Sequence, residues 1–299
     1  MRISLNGGKW DDTPGAGLRR RPGEKRNLAG RPRPDPVPIG IDLAEAQARV
    51  QAQRRRVVGH HLQIGGVRAG RPALPAGRLI RPAELGLVAS LGIGEVAVRR
   101  RLRVAFFSTG NEIATIGTPA APGQIYDSNR YTLHGMLRRL GVELIDMGVV
   151  RDSPGALEEA MSIAAASADA IVSSGGVSVG EADFTREVMA RLGDVAFWKV
   201  AMRPGRPFAF GPLRGPGRPV WLFALPGNPV AALVTFYAFV REALLRLGGA
   251  TPQPLPTLRL PCTTPIRKRP GRTEFQRAIV AADAQGAWSV RLTGSQGAG

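Results

Sequence analysis

Between Arg101 and Gly248 short apolar runs alternate with helix-patterned stretches. "LRVAFFSTG", "VELIDMGVV", "ADAIVSSGG", "PFAFGPL" and "VWLFALPG" read as strands. "SNRYTLHGMLRRLG", "SPGALEEAMSIAAAS", "FTREVMARLG" and "NPVAALVTFYAFVREALLRLG" read as helices. Parallel strands need a long crossover between them, usually a helix. This alternation therefore predicts an α/β three-layer sandwich around a mainly parallel sheet. The punctuation agrees. Ser128 stands as an N-cap with Gly141 beyond the helix end, Ser153 precedes Pro154, and Asn228 precedes Pro229.

In open α/β sheets ligands bind outside the carboxyl ends of the strands. The polar turns fall there: "STGNE" (108–112), "DSN" (127–129), "VVRDSP" (149–154), "SSGGVSVGEAD" (173–183) and "ALPGNP" (224–229). Ser174, Gly175, Gly176, Ser178 and Gly180 offer hydroxyls and unobstructed backbone N–H groups, which suit phosphate oxygens but equally suit a tight turn. Glu181 and Asp183 then need an explanation, because carboxylates repel phosphate unless a cation lies between them. Mg²⁺ fills that role with one or two carboxylates plus phosphate oxygens. Glu112 and Asp152 at neighbouring strand ends bring the acids to four, which favours a metal site over simple charge complementarity at helix N-termini.

"KVAMRPGRPFAFG" opposes the acids with Lys199, Arg203 and Arg206. These cations suit a phosphate-like dianion, and solvated surface charge explains them equally well. Pro226, Gly227 and Pro229 make "LPGNP" a rigid turn that lets backbone approach closely. His60, His61 and His134 have no metal-ligand spacing, and no Ser-His-Asp set or Walker-type loop is evident.

Outside this region the chain differs. Residues 1–65 are rich in Arg, Gly and Pro and are expected to be irregular, apart from a short helix at 41–53. They contribute much of the formal net charge of +18 over 299 residues. An arginine-rich arm for nucleic acid is one reading. The lack of interleaved aromatics favours a solvated tail or a reading-frame artefact. Residues 66–100 read as a connecting segment with a helix from about Pro82 to Leu91, then a strand. Residues 101–248 form the α/β domain, and 249–299 a partial β-rich unit behind the linker "TPQPLPT". A single cysteine, Cys262, excludes an intrachain disulfide. No stretch reads as a membrane span or signal peptide, so a cytoplasmic protein without membrane contact is expected.

"FFSTGNEI", "GQIYDSNRYTL", "SSGGVSVGEADF", "FWKVAMRPGRPFAFG", "LPGNPVAALVTF" and "RPGRTEFQRA" resemble, in that order, the molybdopterin molybdenumtransferase family, which includes the E domain of gephyrin. The resemblance spans about residues 68–299. It implies Mg²⁺-dependent insertion of molybdate into adenylated molybdopterin with release of AMP. By motif match it implies that Glu112, Asp152 and Asp183 hold the metal, with Lys199 a further catalytic residue. Ser174, Gly175, Gly176, Ser178, Gly180, Arg203, Arg206, Pro226 and Pro229 would then bind the pterin substrate. A homodimer and contact with a molybdopterin adenylyltransferase are also implied.

The departures carry expectations too. Arg203 stands where the family commonly has a second lysine, and its planar fork differs from a compact ammonium. "IGGVRAG" (64–70) lacks the family's carboxylates, and Ala298 replaces a serine. The family's N-terminal domains and the end of its C-terminal domain are not recognisable, so a frameshifted or truncated member beginning in register near Val67 is expected. Two other readings stand beside the enzyme: a non-catalytic molybdopterin-binding remnant, and a nucleic-acid-binding protein acting through the basic arm.

Overall fold

A computed structural model describes residues 2–4, 72–177, 182–268, 270–294 and 296, and for 2–4 and 182–184 the backbone alone. The expected helix at 41–53 and the basic segment around it lie outside these residues. The chain forms two compact units. The described residues up to Arg100, with Gly249–Thr251, make one, and Arg101–Gly248 with the residues from Pro252 onward make the other.

In the first unit, strand β1 (Arg2–Ser4) pairs antiparallel with β2 (Glu95–Ala97). Helix α1 (Pro82–Ser90) starts on a proline, whose fixed φ suits a first turn. Glu84 reaches back to accept from the Arg81 N–H at 3.0 Å and from Arg78 Nε at 2.8 Å. Gly92, at φ +71°, lies just past the helix end, as expected.

The second unit is the expected three-layer sandwich. Its central strands are β3 (Arg103–Thr109), β6 (Glu143–Val150), β7 (Ala170–Ser174), β8 (Ala196–Lys199), β10 (Pro207–Leu213) and β11 (Val220–Leu225). Their order across the sheet is β6-β3-β7-β11-β10-β8. The first four are mutually parallel, and β10 is antiparallel to both of its neighbours. β8 therefore runs with the majority, and only β10 opposes it. Short pairs lie beside the sheet: β4 (Ile113–Ala114) with β5 (Ile125–Tyr126), β9 (Met202–Arg203) with β12 (Thr273–Glu274), and β13 (Ala278–Ala282) with β14 (Trp288–Leu292).

Side-chain alternation along the strands makes the layers. On β3, Ala105 and Phe107 enter one core while Val104 and Phe106 enter the other, and all four are fully buried. Helix α3 (Pro154–Ser167) covers the first face with Leu157, Ala160, Met161 and Ala164, an i, i+3, i+4, i+7 stripe. Helix α4 (Ala182–Leu192) adds Val188 and Met189. Helix α2 (Ser128–Arg139) covers the second face with Leu133, Met136 and Leu137.

The last helix of the unit runs as α5 (Pro229–Thr235), a π-turn (Phe236–Val240) and α6 (Arg241–Leu247). It adds Phe236, Val240 and Leu244 to the second core. No described helix is long and apolar enough to cross a membrane.

Two caps differ from expectation. Asp127, not Ser128, is the N-cap of α2, and its carboxylate accepts from Arg130 N at 3.0 Å. Ser128 is already inside the first turn, so the acid one residue earlier reaches the third N–H. Ser153 precedes α3, but its hydroxyl makes no capping bond. Asn228 caps α5 as expected, accepting from Ala231 N at 3.0 Å.

Candidate functional site

The carboxyl ends of β6, β3, β7, β11 and β8 open on one edge of the sheet, and the start of β10 joins them. The expected residues line that edge in strand order. Beyond β6 and β3 lie the acids. Thr109 Oγ1 donates to Asp152 Oδ1 at 3.3 Å, and Asp152 N donates to Asn111 Oδ1 at 3.2 Å, so the two turns are tied together. The Glu112 carboxylate folds over Gly110, where a Cβ would come within 2.7 Å of Oε2. Glu112 is exposed and Asp152 half-buried. Two carboxylates thus flank the end of β3.

Beyond β7 comes the glycine turn. Gly175 (φ +96°) and Gly176 (φ +69°) both sit in left-handed conformations that disfavour a side chain. A Cβ on Gly175 would lie 2.3 Å from Thr109 O. The proline turn follows β11, and the two turns are joined by their carbonyls. Leu225 O accepts from Gly175 N at 3.0 Å, Pro226 O from Ser174 Oγ at 3.4 Å, and Gly227 O from Asn129 Nδ2 at 2.6 Å. Asn129 Nδ2 also donates to Ser174 Oγ at 2.7 Å. Asp127 adds β3 to this network by accepting from Ser108 Oγ at 3.0 Å. Asp127 and Asn129 are both buried. The sequence reading noted "DSN" as a turn but gave neither residue a role. The signal available was an acid and an amide at a helix start beside a strand-end hydroxyl.

The cations stand at the far end. Lys199 closes β8 opposite Pro207, and Arg206 immediately precedes β10. Arg203 lies on β9, and all three are exposed. β12 braces this loop: Thr273 N donates to Ala201 O at 2.9 Å and Phe275 N to Arg203 O at 2.8 Å. Gly205, at φ +96°, lies against α5, where a Cβ would meet Thr235 Oγ1 at 2.5 Å. That "AFWK" forms a strand and that "TEF" pairs with the basic loop was not expected.

Among the described residues the acids and cations therefore do not surround one point. Six strands leave five gaps of about 4.8 Å, so the edge from β6 to β8 is about 24 Å long. Asp152 stands at one end, Lys199 at the other, and the glycine and proline turns lie between. Among the described residues no three potential metal ligands gather. Ser178, Gly180 and Glu181 lie outside the described residues, and Asp183 is placed only as backbone in α4. A separate cavity between α3 and the end of α4, lined by Met161, Leu192 and Leu213, contains none of the site residues.

Residues 105–246 match the family described as "Probable molybdopterin binding domain". A molybdopterin molybdenumtransferase of Haemophilus influenzae is 43% identical over 232 residues, covering 77% of this chain and 56% of the relative. One from a Nostoc species is 45% identical over 183 residues, covering 61% and 42%. The crystal structure of a molybdopterin biosynthesis moeA protein from Pyrococcus horikoshii OT3 aligns with a TM-score of 0.58 at 24% identity, covering 77% of this chain and 54% of that one. That last likeness speaks to the fold alone. The chain spans about half the length of the curated relatives it matches.

Proposed function

We propose that the chain is a member of the molybdopterin molybdenumtransferase family and that it inserts molybdate into adenylated molybdopterin with release of AMP. The names of its relatives support a role in molybdenum cofactor biosynthesis. The observation that carries the finer reading is the layout of the edge: acids, then a glycine turn, then a proline turn, then cations, in a strip long enough for a nucleotide-linked pterin.

The strip assigns parts to this chain's residues. The backbone of Gly175 and Gly176 receives the pterin phosphates, since no side chain stands in the way. Lys199, Arg203 and Arg206 hold the molybdate oxyanion. Pro226 and Pro229 keep their turn rigid beneath the ligand. Glu112 and Asp152 suit Mg²⁺, because that ion takes one or two carboxylates and completes its shell with water and phosphate oxygens. Asp183 would join them. When bound, Mg²⁺ would neutralise charge on the phosphoanhydride oxygens. The strand order keeps the carboxylate end of the strip apart from the cationic end.

The separation gives a direct test. Glu112→Gln is expected to raise the Mg²⁺ concentration for half-maximal AMP release by about tenfold or more while leaving the molybdate requirement near that of the wild type. Lys199→Ala is expected to do the reverse. Both variants shifting both requirements equally would refute the division of the strip.

A further inference from the structure

The glycine turn and the proline turn belong to different strands, and one side chain from a third element bridges them. Asn129 sits in the first turn of α2, 8% exposed, and its Nδ2 donates one hydrogen to Ser174 Oγ at 2.7 Å and the other to Gly227 O at 2.6 Å. The orientation of the amide follows from its partners. Gly227 O can only accept, so the nitrogen must face it, and the flipped amide would set oxygen against oxygen. Oδ1 is buried and meets no donor among the described residues. Because Ser174 Oγ accepts from Asn129, its own hydrogen is free for Pro226 O at 3.4 Å. Both routes from Asn129 thus end on consecutive carbonyls of the proline turn, and Gly175 N holds the one before them, Leu225 O, at 3.0 Å.

We propose that Asn129 is a positioning residue that fixes the gap between the glycine turn and the proline turn, and so sets the width of the pterin site. Nothing else described on α2 can take its place. Asp127 serves the cap and Ser108, and Ser128 is exposed. The amide is short and planar, so it holds both oxygens at once with little freedom to lose. The effect on ligand rests on the reading of the edge as a molybdopterin site. The coupling of the two turns does not.

The test uses the full chain with two kinds of measurement. Asn129→Asp keeps the volume but removes both donors, and Asn129→Leu removes them without adding charge. In each, amide exchange of residues 174–177 and of Leu225, Gly227 and Asn228 is expected to quicken together, by about tenfold, while β10 keeps its wild-type rate. Molybdopterin binding is expected to weaken by about tenfold in both. Ser174→Ala, which keeps the bond to Gly227, should loosen the glycine turn more than the proline turn, and it serves if the Asn129 variants do not fold.

Wild-type exchange in either turn of a folded Asn129 variant would overturn the proposal, as would a Ser174→Ala glycine turn that exchanges normally. Loss of affinity in the Asp variant alone would also overturn it, because charge rather than position would then be the cause. Loosened turns with unchanged affinity would do the same for the positioning role. A wild-type chain that binds no molybdopterin, with both turns loosened in the variants, would refute the functional reading and leave the coupling standing.

Discussion

At Gly175 a hydrogen is the most the backbone can carry. Its φ is +96°, and a Cβ would stand 2.3 Å from Thr109 O. Gly217, at φ +78°, has nothing within 4 Å of the same position. Gly217→Ala is therefore expected to cost only backbone strain, about 1–2 kcal/mol, and Gly175→Ala clearly more, read as the difference between their urea unfolding midpoints. Glu84 gives a prediction in pH. The side-chain hydrogen bond from Arg78, against the opposing effect of burial and with help from the Arg81 N–H, holds its carboxyl below the ordinary value of 4.5. A folded value below the unfolded one means the bond stabilises above the unfolded value and is lost as pH falls through the folded one. Glu84→Gln should therefore be less stable than the wild type at neutral pH, and the gap should close on acidification below 4.5.

The elements take their places from alternation, which is why so much of the sandwich was legible in the sequence. Phe106 and Phe107 are adjacent, fully buried, and belong to opposite cores. Replacing either with Ala should lower unfolding stability by about 3–5 kcal/mol, measured by denaturant titration, because each leaves a cavity in a different layer. The apolar runs of β3, β7 and β11 could be read directly, since a strand covered on both faces shows as an uninterrupted hydrophobic stretch. The end of β8 could not. Trp198 and Lys199 are exposed, so no hydrophobic pattern marks them, and the bond between β9 and β12 joins residues far apart in sequence. Asp127 and Asn129 escaped for a similar reason. Their partners Ser108, Ser174 and Gly227 lie on other elements, and a local reading assigned the cap to Ser128 instead.

At the scale of the molecule, the charged residues described at the sheet's edge are ordered along it rather than gathered at a point. That order was only half legible. The sequence placed the polar turns at strand ends, but the sheet order decides which turns are neighbours, and it puts the Asp152 turn and Lys199 on opposite edge strands. On the proposed reading, the carboxylate end of this strip would hold Mg²⁺, which would neutralise phosphoanhydride charge, and the cationic end would hold the oxyanion. The central claim is that this edge performs molybdenum insertion, and AMP release from adenylated molybdopterin by the purified chain tests it most directly, with Mg²⁺ present and molybdate added last. The account predicts release that begins on molybdate addition and falls by at least about a hundredfold in Asp152→Asn. Binding of the nucleotide with no molybdate-dependent release would contradict it, and would make this edge a molybdopterin-binding surface without the transferase chemistry.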